Sequence, residues 1–458
     1  MKKTTSRSFG SWQWQVILVS MLGYAMYYFV RKNFSTAMPS LESVFGITKT
    51  QLGLFLTING IIYGVSRFVN GFIADRCSHR KFMATGLAIS GLINLGYAFS
   101  DKCAALISGA ATGPDFLKAI TVVMSVLLIF NGYVQGMGVP PTSGLLSKWI
   151  HPKELASKMS VWNMSHSIGA GLIFVLGAVI LNFAGVSAWR LFFLIPSIIA
   201  LLGAVMIWTA IPDSPSEVGL EEIHKDNAEG KAEKSDPAYH KAFLRERVFK
   251  NPVIWVLALV NFFVYIVRFS MLDWGMMILP GSKGVSVVTA GVMVAVFEFI
   301  GGNLGMLFFG WLTDNVFKGK AHHTCIVCML GAAVTVALLF ILPTTAPLWL
   351  MYVVFSSIAF FIYGPQALLG ICAINNGTKE VAGTANGLLG IFGYASTTVS
   401  GLVFGMIADN YGWNATYYMI IGAALIGALL LVSIIKAPAN GYEAAAAFKA
   451  KWDAEHAK

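Results

Sequence analysis

The sequence predicts an all-α membrane protein: twelve transmembrane helices arranged as two pseudo-symmetric six-helix bundles. Three observations lead there. The 458-residue chain is 56% hydrophobic and only 12% charged, too little charge to cover a soluble globule of that size. Its apolar residues lie in runs of about 20, enough to cross a ~30 Å hydrocarbon core as helix at about 1.5 Å per residue. Finally, the two halves of the chain repeat one pattern of motifs. Runs of this length exclude the shorter tilted strands of a membrane barrel.

The spans read, in order, as 13–38, 49–75, 81–101, 118–147, 155–184, 189–211, 251–280, 286–314, 321–342, 347–375, 380–409 and 414–436. The first follows a basic stretch, MKKTTSRSFGSWQWQ. Its apolar run is too long for a cleaved signal peptide and lacks a small-residue cleavage site. Thr48 and Gln51 have the spacing of a capping box and open the second span. Pro152 and Pro252 stand where a first helical turn tolerates proline, at the starts of the fifth and seventh. Glycine is abundant, with 46 residues, as expected where membrane helices approach closely. Cys325 and Cys328 form a CxxC inside the ninth span with no second pair nearby, which reads as helix packing. No metal and no cofactor are expected.

Charge gives the orientation. Of the 32 Lys and Arg residues, 23 fall on the side that holds both termini, and five (Lys49, Lys102, Lys118, Arg190 and Lys283) on the other. Both termini are therefore expected in the cytoplasm. The net charge of +10 does not point to nucleic acid, because the basic residues are spread over short loops. Residues 212–250 are polar and mixed in charge; they read as a cytoplasmic linker with an amphipathic helix near Tyr239–Phe249, or as a regulatory, partner-binding loop. This divides the chain into an N-terminal six-helix bundle (1–211), the linker (212–250) and a C-terminal six-helix bundle with a short cytoplasmic tail (251–458).

The halves correspond. GYAMYYFVRKNF (Gly23–Phe34) places Arg31 and Lys32 inside span 1, and VYIVR (Val264–Arg268) places Arg268 inside span 7, 237 residues after Arg31. Gly71–Lys81 follows span 2 and Gly310–Lys320 follows span 8, with the same Gly-to-Asp spacing and an offset of 239. Lys153-Glu154 and Lys379-Glu380 match as well. A six-helix unit duplicated in parallel is the layout of transporters whose site lies near the midplane between repeats.

A charge at mid-membrane costs ~2.5–3.5 kcal/mol on insertion scales, so each in-span base needs a reason. Away from the span ends, Arg31, Lys32, Arg67 and Arg268 face only two acids, Asp273 and Glu298, and the surplus of two positive charges suits a dianion. Guanidinium fits phosphate, because its planar donors meet two oxygens at once and it stays charged. Helical spacing puts Tyr24 and Tyr28 on the face of Arg31, and Asn261 and Tyr265 on the face of Arg268. The competing reading makes each Arg a structural bridge to a buried acid. Lys32 points ~100° away from Arg31, toward Asp273 or Glu298, either as a salt bridge made and broken as the site fills or as a static register pair. His166, in VWNMSHSIGAG, either packs or donates to the phosphate near its second ionisation. Arg67, in YGVSRF, either supports the phosphate or snorkels. Tyr63, Tyr363 and Tyr394 either line the pore or pack. Asp75, Arg76, Arg80 and Asp314 of the repeated loop motif read as a charge latch at helix ends, or its basic members as plain membrane anchors.

That loop motif resembles the signature of the major facilitator superfamily, and the whole chain resembles its organophosphate:phosphate antiporters. The resemblance is carried by GYAMYYFVRKNF (23–34), YGVSRF (63–68), QGMGVPP (135–141), VWNMSHSIGAG (161–171), VYIVR with LDW (264–274), FEFIGG (297–302) and FIYGPQ (361–366). It implies the major facilitator fold and exchange of an organic phosphate, glycerol 3-phosphate or a hexose 6-phosphate, for inorganic phosphate by alternating access. Arg31 and Arg268 would grip the phosphate with help from His166. Lys32, Asp273 and Glu298 would be the interdomain salt-bridge residues. Tyr24, Tyr28, Tyr63, Tyr265, Tyr363 and Tyr394 fit the glycerol-phosphate type, whereas Arg67 stands where that type has Lys. Span 11 carries no charged pair of the kind associated with hexose-phosphate transport. The resemblance also implies a cell inner membrane location; a monomer is expected. A transporter-shaped sensor of hexose 6-phosphate that signals to a membrane kinase is the alternative.

No enzyme is expected. The chain has no GxSxG, HExxH or P-loop, and the linker is too short for the nucleotide domain of an ATP-driven pump.

Overall fold

The computed structural model describes residues 7–74, 76–223 and 237–456, and these contain helices and turns but no strand. Asp75 and the middle of the linker lie outside the described residues. Among the described residues nine helical stretches are long and apolar enough to cross a membrane by themselves, ten if a bent pair counts as one. Span 1 and the division of one 52-residue run complete the twelve.

Span 1 is a single 37-residue helix, Phe9–Phe45, longer at both ends than the apolar run alone predicts. Its limits are set by caps: the Ser8 side chain accepts from Ser11 N, and Gly46 closes the end in a left-handed conformation. Span 2, Lys49–Ala74, opens on a reciprocal capping box. Thr48 N donates to Gln51 Oε1 at 2.9 Å, and Gln51 N donates to Thr48 Oγ1 at 3.2 Å. Span 3, His79–Ala98, bends by 55° into Ser100–Ser108. Span 4 is two helices, Pro114–Gln135 and Val139–Trp149, interrupted at the glycines of QGMGVPP. Spans 5 and 6 are Pro152–Ala184 and Leu191–Ala210.

Span 7 is Pro252–Lys283, span 9 Ala321–Ile341 and span 10 Leu348–Gly377. Span 8 runs from Val287 to Asn315 through a π-helical turn, Phe297–Gly302. Spans 11 and 12 share the run Ala382–Ser433, broken at Gly412, whose φ of 75° suits glycine. Span 11 carries its own π turn, Thr398–Val403.

The residues fall into two compact units. The first holds spans 1–6 together with Leu272–Phe299 and Gly401–Trp413. Its core includes Val16, Ile17, Tyr24, Tyr27, Leu87, Leu146, Trp149 and Ile207. Within this unit Asp409 caps span 2: it accepts from Lys49 N at 3.2 Å, Thr50 N at 2.7 Å and Thr50 Oγ1 at 2.6 Å. Lys49 Nζ completes the cluster, 2.8 Å from Glu42 and 3.8 Å from Asp409. The loops here join spans 1 to 2 and 11 to 12, so they lie at the end of this unit opposite the start of span 1.

The second unit comprises Gly230–Met271, Ile300–Ser400 and Asn414–Lys458. Its linker part is the expected helix, Pro237–Leu244, continued by a π turn over Arg245–Phe249. The tail is also a helix, Tyr442–His456. The two dock through aromatic rings, with Tyr239 5.6 Å from Trp452 and Phe243 5.5 Å from Phe448. Arg247 pins them by donating to the carbonyls of Asn376 at 2.6 Å and Gly441 at 3.0 Å. Asn376 lies in the last turn of span 10, so Arg247 supplies a cation to a helix C-terminus.

Candidate functional site

In the first unit, span 1 presents Tyr24, Tyr28 and Arg31 along one face. The Arg31 guanidinium sits 5.4 Å from the Tyr28 ring centroid and 3.5 Å from that of Tyr63 on span 2. These are cation–π distances, in which the ring quadrupole offsets part of the cost of removing the charge from water. Tyr63 is fully buried and hydrogen-bonded to Tyr24 and Arg31, with Arg67 also acting on it electrostatically. Arg67 itself is exposed. Span 5 closes this group: the His166 ring lies 6.3 Å from Tyr28, and Trp162 lies 5.0 Å from Tyr24. Trp162 was not singled out from the sequence, although it stands one helical turn before His166. Gly169 makes the approach of span 5 to span 1 possible, since a Cβ there would sit 2.5 Å from the Ala25 carbonyl oxygen.

Lys32 turns away from Arg31, as the helical angle requires. Its Nζ donates to Asp273 Oδ1 at 2.6 Å. Ser35, one turn further along span 1, donates to the same oxygen at 2.9 Å. Lys32, Ser35 and Asp273 are all buried, at 9%, 1% and 6% exposure. Glu298 is fully buried on the π turn of span 8, and π turns recur at functional sites.

In the second unit Arg268 is 5% exposed. Its guanidinium lies 4.8 Å from the Tyr363 ring, 5.6 Å from Phe269 and 5.9 Å from Tyr265. Tyr394 of span 11 meets Tyr265 edge-on at 6.1 Å. Asn261 donates to the Leu389 carbonyl at 2.8 Å, so this amide ties span 7 to span 11. Arg31 thus rests against Tyr28 and Tyr63 in one unit, and Arg268 against Tyr265 and Tyr363 in the other.

Arg80 N donates to Asp213 at 2.7 Å, and its guanidinium donates to the Ile211 carbonyl at 2.9 Å and lies 3.4 Å from Glu217. Arg80 therefore holds the end of span 6 and the start of the linker. Arg76 and Asp314 are exposed, and Asp75 lies outside the described residues. Cys325 and Cys328 are buried thiols in span 9. Among the described residues no group of three or more His, Cys, Asp or Glu is arranged to hold a metal.

The fold is that of a polytopic membrane protein, with a guanidinium laid against aromatic rings in each unit. Solved carriers share the fold: a D-xylose–proton symporter (TM-score 0.68, 16% identity, covering 92% of this chain and 97% of that one) and a bacterial homologue of the lysosomal transporter Spinster (0.66, 15%, 97% of both). The sequence model of the Major Facilitator Superfamily matches residues 20–401. Among curated relatives, the glycerol-3-phosphate transporter of Bacillus subtilis is 33% identical over 422 residues, 91% of either chain. A probable hexose phosphate transport protein of Chlamydia trachomatis is 33% identical over 434 residues, 92% of this chain and 90% of its own. The membrane sensor protein UhpC of Escherichia coli is 31% identical over 431 residues, 93% of either chain. The chain belongs to the Major Facilitator Superfamily, in its organophosphate:phosphate antiporter family, a family of transporters and not of enzymes.

Proposed function

We propose that the protein exchanges an organic phosphate, glycerol 3-phosphate or a hexose 6-phosphate, for inorganic phosphate by alternating access across a cell inner membrane. It works as a monomer of two six-helix bundles (1–211 and 251–458) joined by the linker, with both termini in the cytoplasm. Arg31 and Arg268 hold the phosphoryl group, His166 and Arg67 assist, and the six tyrosines line its path. Lys32, Asp273 and Glu298 form the gating salt bridges.

One observation carries this reading. Asp273 is engaged by Lys32 and Ser35, while Arg31 and Arg268 are each laid against aromatic faces. An aromatic face offsets part of the cost of burying a guanidinium without neutralising its charge, and that remaining charge favours an incoming anion. The relatives named for glycerol 3-phosphate and hexose phosphate supply the two candidate substrates.

The test is uptake of labelled glycerol 3-phosphate or glucose 6-phosphate into proteoliposomes preloaded with phosphate. Uptake that needs internal phosphate, and its loss in Arg31→Ala and Arg268→Ala, is the expected result. Wild-type protein without counterflow of either ester would overturn the proposal, as would full activity in the double variant. The relative named as a membrane sensor favours a second reading, binding of hexose 6-phosphate without turnover and signalling to a membrane kinase. Saturable binding of the ester in detergent, without counterflow, selects it.

A further inference from the structure

Ser35 has no assigned role, yet it is the second donor on the one carboxylate that binds Lys32. The Lys32 and Ser35 side chains converge on Asp273 Oδ1 at 2.6 and 2.9 Å from the same face of span 1. We infer that Ser35 is a positioning residue which, through Asp273, sets how readily Lys32 leaves its salt bridge. The inference rests on the proposed reading of that bridge as one made and broken during the cycle.

The argument concerns what Asp273 is left with when Lys32 departs. A buried carboxylate stripped of its cation carries a large desolvation penalty. The Ser35 hydroxyl remains within reach, and a hydrogen bond to an ionised acceptor strengthens once the competing charge is gone. Ser35 therefore stabilises the unpaired state of Asp273 more than the paired one. Removing the hydroxyl tightens the pair, because it makes the separated state worse. Its position, 1% exposed, keeps water from substituting for it.

Lys32 departure can be read directly by acetylating the intact protein in detergent with acetic anhydride and following Lys32 by mass spectrometry, with the exposed Lys118 as internal reference. Ser35→Ala is expected to slow Lys32 labelling by roughly three- to tenfold, a fraction of the tenfold or more that a whole hydrogen bond to a charged group represents, because only its difference between the unpaired and paired states counts. Ser35→Thr, which keeps a hydroxyl, is expected to label like wild type. Asp273→Asn is expected to label faster, and Ser35→Ala on that background to change nothing further. A variant that only loosens the fold would label Lys32 faster, the opposite direction. Unchanged labelling in Ser35→Ala overturns the inference, as does an equal effect with and without Asp273. Counterflow measured on the same preparations separates the two questions: if wild type fails to exchange, the transport proposal falls, while the labelling cycle still decides the role of Ser35.

Discussion

At the scale of single residues, the cationic groups illustrate how far composition and spacing reach. The surplus of in-span bases over acids, and the three-residue steps from Tyr28 to Arg31 and from Tyr265 to Arg268, are visible in the chain, and the side chains do meet. Two features were not legible. Tyr63 approaches Arg31 more closely than Tyr28 does, and this depends on how span 2 packs. Ser35 was legible in principle, three residues after Lys32, but an isolated serine in a helix gives no signal until its acceptor is placed. The short Arg31–Tyr63 distance has a measurable consequence. Tyr63→Leu removes the ring, and a cation–π contact of up to ~2 kcal/mol corresponds to a rise of up to roughly thirtyfold in the half-saturating ester concentration. Tyr63→Phe keeps the ring and is expected to shift it less. Equal damage from both substitutions in counterflow titrations would show that the hydroxyl matters rather than the ring face.

At the scale of elements, long apolar runs made the spans easy to place, since one period and one length decide them. Interruptions inside them were hidden. The bend after Ala98, the break in span 4 and the π turns of spans 8 and 11 fall inside runs whose length and average hydropathy still read as one span each, so the span count does not reveal them. The sequence reading gives only a short tail, to which the structure adds that Tyr442–His456 is a helix whose Phe448 and Trp452 face the linker helix. Arg247 anchors this pair, and a hydrogen bond from a charged donor is worth ~1.5–3 kcal/mol. Arg247→Ala is therefore expected to raise trypsin cleavage at Lys449 and Lys451 by about tenfold, without changing the counterflow rate by a comparable factor. Cleavage at the wild-type rate would mean that the aromatic contacts alone hold the tail.

At the scale of the whole molecule, charge bookkeeping favours exchange over one-way movement. Sealing an empty site would bury guanidiniums with no anion beside them, at a cost a bound phosphate offsets. A loaded carrier is expected to cross far more readily than an empty one. Reconstituted protein should then accumulate ester only against internal phosphate, and rapid net uptake into phosphate-depleted vesicles would contradict this. The duplication that supports the argument was readable because Arg31 and Arg268, and the two Gly-to-Asp loop motifs, recur at nearly one offset. What the sequence hid at this scale is the pairing of distant segments, such as Thr50 with Asp409, 359 residues apart.

That pairing has an outcome of its own. Asp409 supplies the first turn of span 2 with acceptors it would otherwise draw from solvent, and it does so at a hydrated rim, where its side chain is 24% exposed. Water stands ready to replace Asp409 there, whereas nothing comparable surrounds Asp273. Loosening of this end should therefore start at the rim and reach the interior later. Hydrogen exchange at the Lys49 and Thr50 amides is expected to outpace exchange in the helix around Asp273, and to quicken further in Asp409→Ala.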